Sequence, residues 1–359
     1  MNSSPSASTP GWQFYARKWG PTVVTVIVLA SAYYYFTQNN VLEKIDLARI
    51  QPIYLVALVG VRLVTFVVLG LILRLFVLHL GSQLDFTEWF GLSLAGALVN
   101  ALTPLAGGAV IRAGYLKLRH SVSISRYVAV FAVTSLLNYL VSGGLGLVFL
   151  TYLSLTRSVA LPWIPALILI GLIVGPLVLL LVPLERLPLP FKGRLRRVIG
   201  LMLEGWRDIR AKPVLLAQQV GLAAMMAILQ GIGLWVGILA LGERADLAGA
   251  LLMGALINAW RVTPGPAFGV QEAIGGATAG LLDINPAVGA LAVLLNRAAY
   301  GVCQFTLGVW YTSVLSRRLG QPLERAADAV TGSTLDQAAS PPSPLSTSGE
   351  GKSSPAKTG

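Results

Sequence analysis

Two stretches decide how this chain folds: NALTPLAGG at residues 100–108 and NAWRVTPGPAFG at 258–269. Each interrupts a long apolar region, 89–118 and 246–282 respectively. Proline lacks a backbone N–H and its ring clashes with the preceding turn, so Thr103-Pro104 and Thr263-Pro264-Gly265 end a helix rather than continue it. Each region is therefore predicted to be two half-length helices joined by a break. A half of about 13–18 residues is too short to cross comfortably a hydrocarbon core roughly 30 Å thick.

Around these breaks lie six uninterrupted apolar runs, at about 21–38, 52–78, 127–152, 162–183, 213–241 and 286–316, each long enough to span a bilayer. Of the 359 residues 55% are hydrophobic and 12% charged, and the mean hydropathy is +0.71. A soluble domain carries about 25% charged residues, so a water-soluble enzyme and a disordered chain are both excluded. The net charge of +12 would suggest nucleic acid in a soluble protein, but no nucleic-acid-binding signature accompanies it. One cysteine, Cys303, and two histidines, His79 and His120, leave little for a disulfide, a metal centre or a cofactor, and none is expected. Residues 1–20 and 319–359, rich in Ser, Pro, Thr and Gly, read as disordered termini around a transmembrane domain at 21–318. The first run could also be a signal peptide ending at Ala30-Ser31-Ala32, although Tyr33, Tyr34 and Tyr35 suit an interfacial anchor better.

The basic residues orient the chain. If both broken regions re-enter and the N-terminus is cytoplasmic, one side holds Arg17, Lys18, Lys117, Arg119, Arg126, Arg317, Arg318 and the loop residues Arg186 to Lys212. The other holds only Lys44, Arg49, Arg157 and Arg244. A single crossing by each broken region would move the basic loop outside. The expected architecture is all-α and polytopic, with six crossing helices, two re-entrant broken-helix hairpins and both termini in the cytoplasm of a cell with an inner (plasma) membrane.

The two broken regions also resemble each other. A shift of 158 residues lays Gly96-Ala97-Leu98-Val99-Asn100 on Gly254-Ala255-Leu256-Ile257-Asn258 and Leu136-Leu137-Asn138 on Leu294-Leu295-Asn296. The Thr-Pro pairs need 160. Span, broken hairpin and span thus repeat at about 52–152 and 210–316, and three crossings before the second copy make the repeats inverted. Paired interrupted segments in two inverted halves point to a substrate site near the bilayer midplane.

Five arginines, Arg62, Arg74, Arg112, Arg261 and Arg297, fall within apolar segments, against one similarly placed acid, Glu272. Each costs at least roughly 2.5–3.5 kcal/mol at a helix centre, so it needs a partner, water or a purpose. Arg74 lies close enough to a helix end to snorkel. At a shift of 160 Arg112 meets Glu272, which leaves two readings open: a salt bridge locking the hairpins, or an arginine for substrate phosphate beside an orienting carboxylate. The guanidinium fork matches phosphate oxygens, and half-helix starts add backbone donors. Arg62, Arg112, Arg261, Arg297 and Glu272 are therefore the candidate headgroup ligands. Asn100, Asn258, Thr103, Pro104, Thr263, Pro264 and Gly265 form and support the breaks, and Asn138 and Asn296 suit hydrogen bonds between helices.

The run from Asn100 through Thr103-Pro104 and Gly107-Gly108 to Arg112, with Arg261-Val262-Thr263-Pro264-Gly265 and Gly269-Val270-Gln271-Glu272, resembles the two signatures of the lysylphosphatidylglycerol synthase transmembrane family. The resemblance covers about residues 20–318 and implies a flippase-like domain handling anionic-lipid derivatives. It does not bring the soluble transferase domain of the full synthases, so aminoacyl transfer is not expected. The function expected is translocation of an anionic phospholipid or polyprenyl-phosphate-linked lipid between leaflets, with the membrane and that lipid as partners and no nucleic acid. The alternative is a membrane enzyme or accessory subunit in lipid-linked glycan or aminoacyl-lipid metabolism.

Overall fold

The computed structural model describes residues 51–102, 107–157, 163–181, 200, 206, 207, 209, 211–261 and 269–319, with the side chains of Arg157, Leu181, Trp260 and Arg261 excepted. Among the described residues there are nine helices and no strand: α1 (Pro52–His79), α2 (Phe86–Leu102), α3 (Gly107–His120), α4 (Ile124–Arg157), α5 (Trp163–Leu181), α6 (Pro213–Ala240), α7 (Leu247–Arg261), α8 (Val270–Leu281) and α9 (Pro286–Leu319). Local chemistry sets many of the boundaries. Pro52 and Pro213 stand in the first turns of α1 and α6, where a missing N–H costs nothing. Asp85 and Glu88 cap each other's amides ahead of α2. The Asn285 side chain accepts from the Ala287 amide at the start of α9.

α1, α4, α5, α6 and α9 are each long and apolar enough to cross a membrane. The expected run at 21–38 and both termini lie outside the described residues, as do the breaks at 103–106 and 262–268. The half-helices of each broken region lie against one another. α3 runs back along α2, with Gly108 on the Gly96 carbonyl and Tyr115 and Arg119 on Glu88. α8 runs back along α7, with Leu282 against Gly249.

The turns recur through the chain. Gly81 and Gly242 both take positive φ, 84° and 78°, which glycine adopts without strain. The Ser82 and Glu243 amides both reach back five residues, to Val77 O at 3.2 Å and Ile238 O at 3.3 Å. Ser121 and Asp283 share a left-handed φ of 54° and 60°. These pairs are 161 residues apart before the breaks and 162 after them, which corrects the offset of 158 expected from sequence, and of 160 for the Thr-Pro pairs. Before the break the slip is three residues, nearly one helical turn of 3.6, so small and apolar residues on the same face still matched; after it the Thr-Pro shift is two residues short. With the structural offset Arg112 corresponds to Ile274 and Glu272 to Val110, while Asn138 corresponds to Tyr300 and Asn296 to Thr134.

The equivalent helices α1 and α6 are antiparallel neighbours. Lys212 Nζ donates to His79 O at one end, and Arg62 meets Gln230 further along. The packing of the long helices follows the same exchange. The C-terminal half of α9 lies on α2, with Tyr311 against Gly91 and Gly308 against Leu94, while the C-terminal half of α4 lies on α7, with Gly146 against Ala255. Two large apolar clusters result. One, containing Phe76, Leu92, Tyr115 and Val133, surrounds the first hairpin. The other, containing Leu169, Leu234, Met253 and Val293, surrounds the second.

Backbones touch at several of these crossings. A Cβ on Gly254 would fall on the Gly231 backbone, and one on Gly289 would lie 2.6 Å from the Gly275 carbonyl oxygen. Only glycine lets the helices approach this closely.

Candidate functional site

The first hairpin is held by a stripe at i+4 spacing on α2, Glu88, Leu92, Gly96 and Asn100, facing Gly108, Arg112, Tyr115 and Arg119 of α3. At the break end, Asn100 Oδ1 accepts from the Gly108 amide at 2.8 Å, satisfying one of the open donors at the start of α3. One turn on, the half-buried Arg112 guanidinium lies across Gly96: a Cβ there would come within 2.5 Å of Nε and 2.8 Å of Nη2. Arg112 also hydrogen-bonds the Tyr127 side chain of α4. Its Nε is buried and makes no hydrogen bond.

The second hairpin carries an ion pair. Glu272 Oε1 accepts from Arg297 Nη1 of α9 at 2.7 Å, and Oε2 accepts from the Gly269 amide at 2.7 Å. The salt bridge between Arg112 and Glu272 that the sequence left open is therefore not formed. The carboxylate belongs to Arg297, which lies on the helix packed directly against α8, whereas Arg112 is on the other hairpin. The physical reason is the offset: Arg112 and Glu272 are not equivalent positions.

A third polar group is buried where α1, α6 and α9 meet. Arg62, 1% exposed, donates from Nη1 to Gln230 Oε1 at 2.9 Å. Gly233 makes room for it, because a Cβ at that position would fall on Arg62 Nη2 and lie 2.7 Å from Asn296 Oδ1. Asn296 Oδ1 is buried without a hydrogen-bond partner. At the end of α7, Asn258 Nδ2 donates to Asn138 Oδ1 at 3.2 Å and to Ser142 Oγ at 3.0 Å, joining α7 to α4. Arg261 ends α7, but its side chain, and Thr103, Pro104, Thr263, Pro264 and Gly265, lie outside the described residues.

Sequence reasoning missed a second buried acid. Glu88 is 3% exposed, and its Oε1 accepts from Tyr115 Oη at 2.9 Å and Arg119 Nε at 2.6 Å, with His120 Nε2 at 3.3 Å. Neighbouring Asp85 binds Arg318 of α9 at 2.6 Å, and Arg119 Nη1 reaches the Arg318 carbonyl at 3.4 Å. Burial pushes the Glu88 carboxyl up, but the Asp85 amide, Tyr115, Arg119 and His120 outweigh it and hold the group below the usual carboxylate value. Asp85 is likewise lowered, burial being outweighed chiefly by Arg318 and the Glu88 amide. The spacing Asp85-x-x-Glu88 was the available signal, a capping box at the head of an apolar region. Gln230, Ser142 and Gly233 carried no comparable signal.

The family model described as the lysylphosphatidylglycerol synthase TM region matches residues 19–308, and the chain belongs to that family. With five span-competent helices among the described residues it is an integral membrane protein that crosses the bilayer several times. No curated protein and no solved structure matches the chain.

Proposed function

We propose that the chain translocates an anionic lipid between the leaflets of the cell's plasma membrane, with its two hairpins re-entering from opposite sides as the tips of inverted repeats. The observation that carries this reading is Arg112: a half-buried guanidinium near the start of a half-helix, bonded to Tyr127 but with its Nε unused and, among the described residues, no carboxylate bound to it. Such a group beside open helix-start amides suits a phosphate oxygen. Arg62, Arg261 and Arg297 belong to the same cationic lining, and Glu272 sets the orientation of Arg297. The lipid is an anionic phospholipid or a lipid-linked phosphate.

The antiparallel placement of α1 and α6, and the exchange of partners between α4 and α9, support alternating access by rocking of one repeat against the other. The charge bias of the loops supports six crossings with cytoplasmic termini. A membrane-enzyme reading gains nothing from Glu272, which is occupied by Arg297 and the Gly269 amide and does not stand as a free base.

Proteoliposomes carrying fluorescent phosphatidylglycerol test the activity. Flipping above that of empty vesicles, lost in Arg112→Ala, is the expected result; no excess with any of several anionic lipids overturns the reading. Topology is tested separately. Cysteines at Ser154 and Asp283 should label from outside, and those at Ser121 and Gly200 only after permeabilisation. External labelling at Ser121 would put the first broken region across the membrane.

A further inference from the structure

The first hairpin places a guanidinium with an unused Nε, Arg112, and the buried carboxylate of Glu88 on the same face of the same contact. Arg112, Tyr115 and Arg119 follow at i, i+3 and i+7 along α3, so all three point toward α2. Two of them, Tyr115 and Arg119, end on a single atom, Glu88 Oε1. On the face toward α2, this helix of 14 residues is packed at its break end through glycine: Gly108 rests on the Gly96 carbonyl, and Arg112 itself covers Gly96, while Ile111 and Leu116 pack into the apolar cluster. At the far end the polar contacts toward α2 are the bonds of Tyr115 and Arg119 to Glu88, one to two turns from the guanidinium that lies over Gly96.

The second hairpin is built otherwise. At the structural offsets Glu88 corresponds to Gly249, Tyr115 to Ala277 and Arg119 to Leu281, and the corresponding contact is Leu282 against Gly249. The polar clamp belongs to the half that carries Arg112.

From this geometry we infer that Glu88 is a positioning residue for the anionic headgroup, acting through α3 to aim Arg112. The inference rests on the reading of Arg112 as a headgroup ligand. The clamp extends to α9 through Asp85 and Arg318.

A double-mutant cycle tests it, using binding of fluorescent phosphatidylglycerol to the purified full-length chain in zwitterionic detergent. Arg112→Ala should weaken binding roughly tenfold or more, the loss of one charge-assisted hydrogen bond. Glu88→Ala should weaken it by a similar factor, and the double variant should bind no worse than Arg112→Ala alone, because Glu88 has nothing left to aim. Glu88→Gln, which keeps an acceptor for Tyr115 and Arg119, should recover part of the loss and carries the cycle if Glu88→Ala fails to fold. A merely structural Glu88 would lower the melting temperature and leave the affinity of the folded fraction unchanged. Affinity unchanged in both Glu88 variants while Arg112→Ala binds poorly overturns the inference alone, as do losses that multiply in the double variant. Wild-type binding by Arg112→Ala overturns the headgroup role of Arg112 instead, and this inference falls with it.

Discussion

Removing Arg297 strands a carboxylate. Glu272 has a side chain 9% exposed, and its two oxygens are divided between Arg297 Nη1 and the Gly269 amide, each at 2.7 Å. In Arg297→Ala the amide remains but the countercharge is gone, and a buried, half-satisfied carboxylate costs roughly 3–5 kcal/mol. Glu272→Gln keeps an acceptor for Arg297 and for Gly269 and costs about 1–2 kcal/mol, within the range for replacing a charged hydrogen bond by a neutral one. Combining Arg297→Ala with Glu272→Gln removes the stranded charge, so the double variant should be more stable than Arg297→Ala alone. Each kcal/mol moves the melting temperature by about 2–4 °C in soluble chains of 150–250 residues. The Arg297→Ala loss should thus be plain in a fluorescence-detected thermal-stability assay in detergent, and its partial recovery measurable. The same cycle with Arg112→Ala in place of Arg297→Ala should show no coupling. Coupling of Glu272 to Arg112 but not to Arg297 would refute the assignment of the pair and restore the bridge between hairpins.

Acid should act on the Glu88 clamp. Its carboxyl titrates below the usual value of 4.5, so the stability it contributes is complete above that pH and is lost as pH falls through the lowered value. A melting temperature level from pH 7 to 5 and falling below 4.5, with the fall reduced in Glu88→Gln, is the expected profile. Gly108→Val forces a side chain onto the Gly96 carbonyl and should cost at least about 1–3 kcal/mol, seen as loss of monodisperse protein on gel filtration, whereas Gly144→Ala, with nothing within 4 Å of its Cβ, should behave as wild type. Gln230→Leu removes the Nη1 acceptor of Arg62 and should destabilise by about 1.5–3 kcal/mol, with thermal unfolding as the measure.

The helices that enclose these groups were legible because their signals are local. The expected runs at 52–78, 127–152, 162–183, 213–241 and 286–316 became helices within a few residues of those bounds, since a bilayer-length apolar stretch bounded by Pro52, Pro213 or Pro286 leaves the backbone little alternative. The burial of Arg62 could be read from its place in mid-span. The partner of Glu272 could not, because matching the Thr-Pro pairs set Arg112 and Glu272 two residues out of register, and in a chain built largely of Leu, Ala, Gly and Val so small a slip leaves few mismatches. The neutral partners, Gln230 for Arg62 and Ser142 for Asn258, give no charge pattern to search for. Glu88 was missed because its burial depends on Tyr115 and Arg119, 27 and 31 residues away, folded back over it by a break whose geometry the sequence does not specify.

The glycine contacts have a mechanical consequence. Where Gly254 meets Gly231, or Gly289 meets Gly275, backbone lies against backbone, with only small or slender side chains such as Ala279 and Val293 seated at the seam. Smooth surfaces of this kind resist pulling apart, through close dispersion contact, far more than they resist shear. Across the same seam Glu272 on Arg297 is a directional, charged contact between α8 and α9, a pin that sliding would have to break. Substitutions along the glycine seam should alter how firmly the helices adhere, and substitutions at the pin how far they travel.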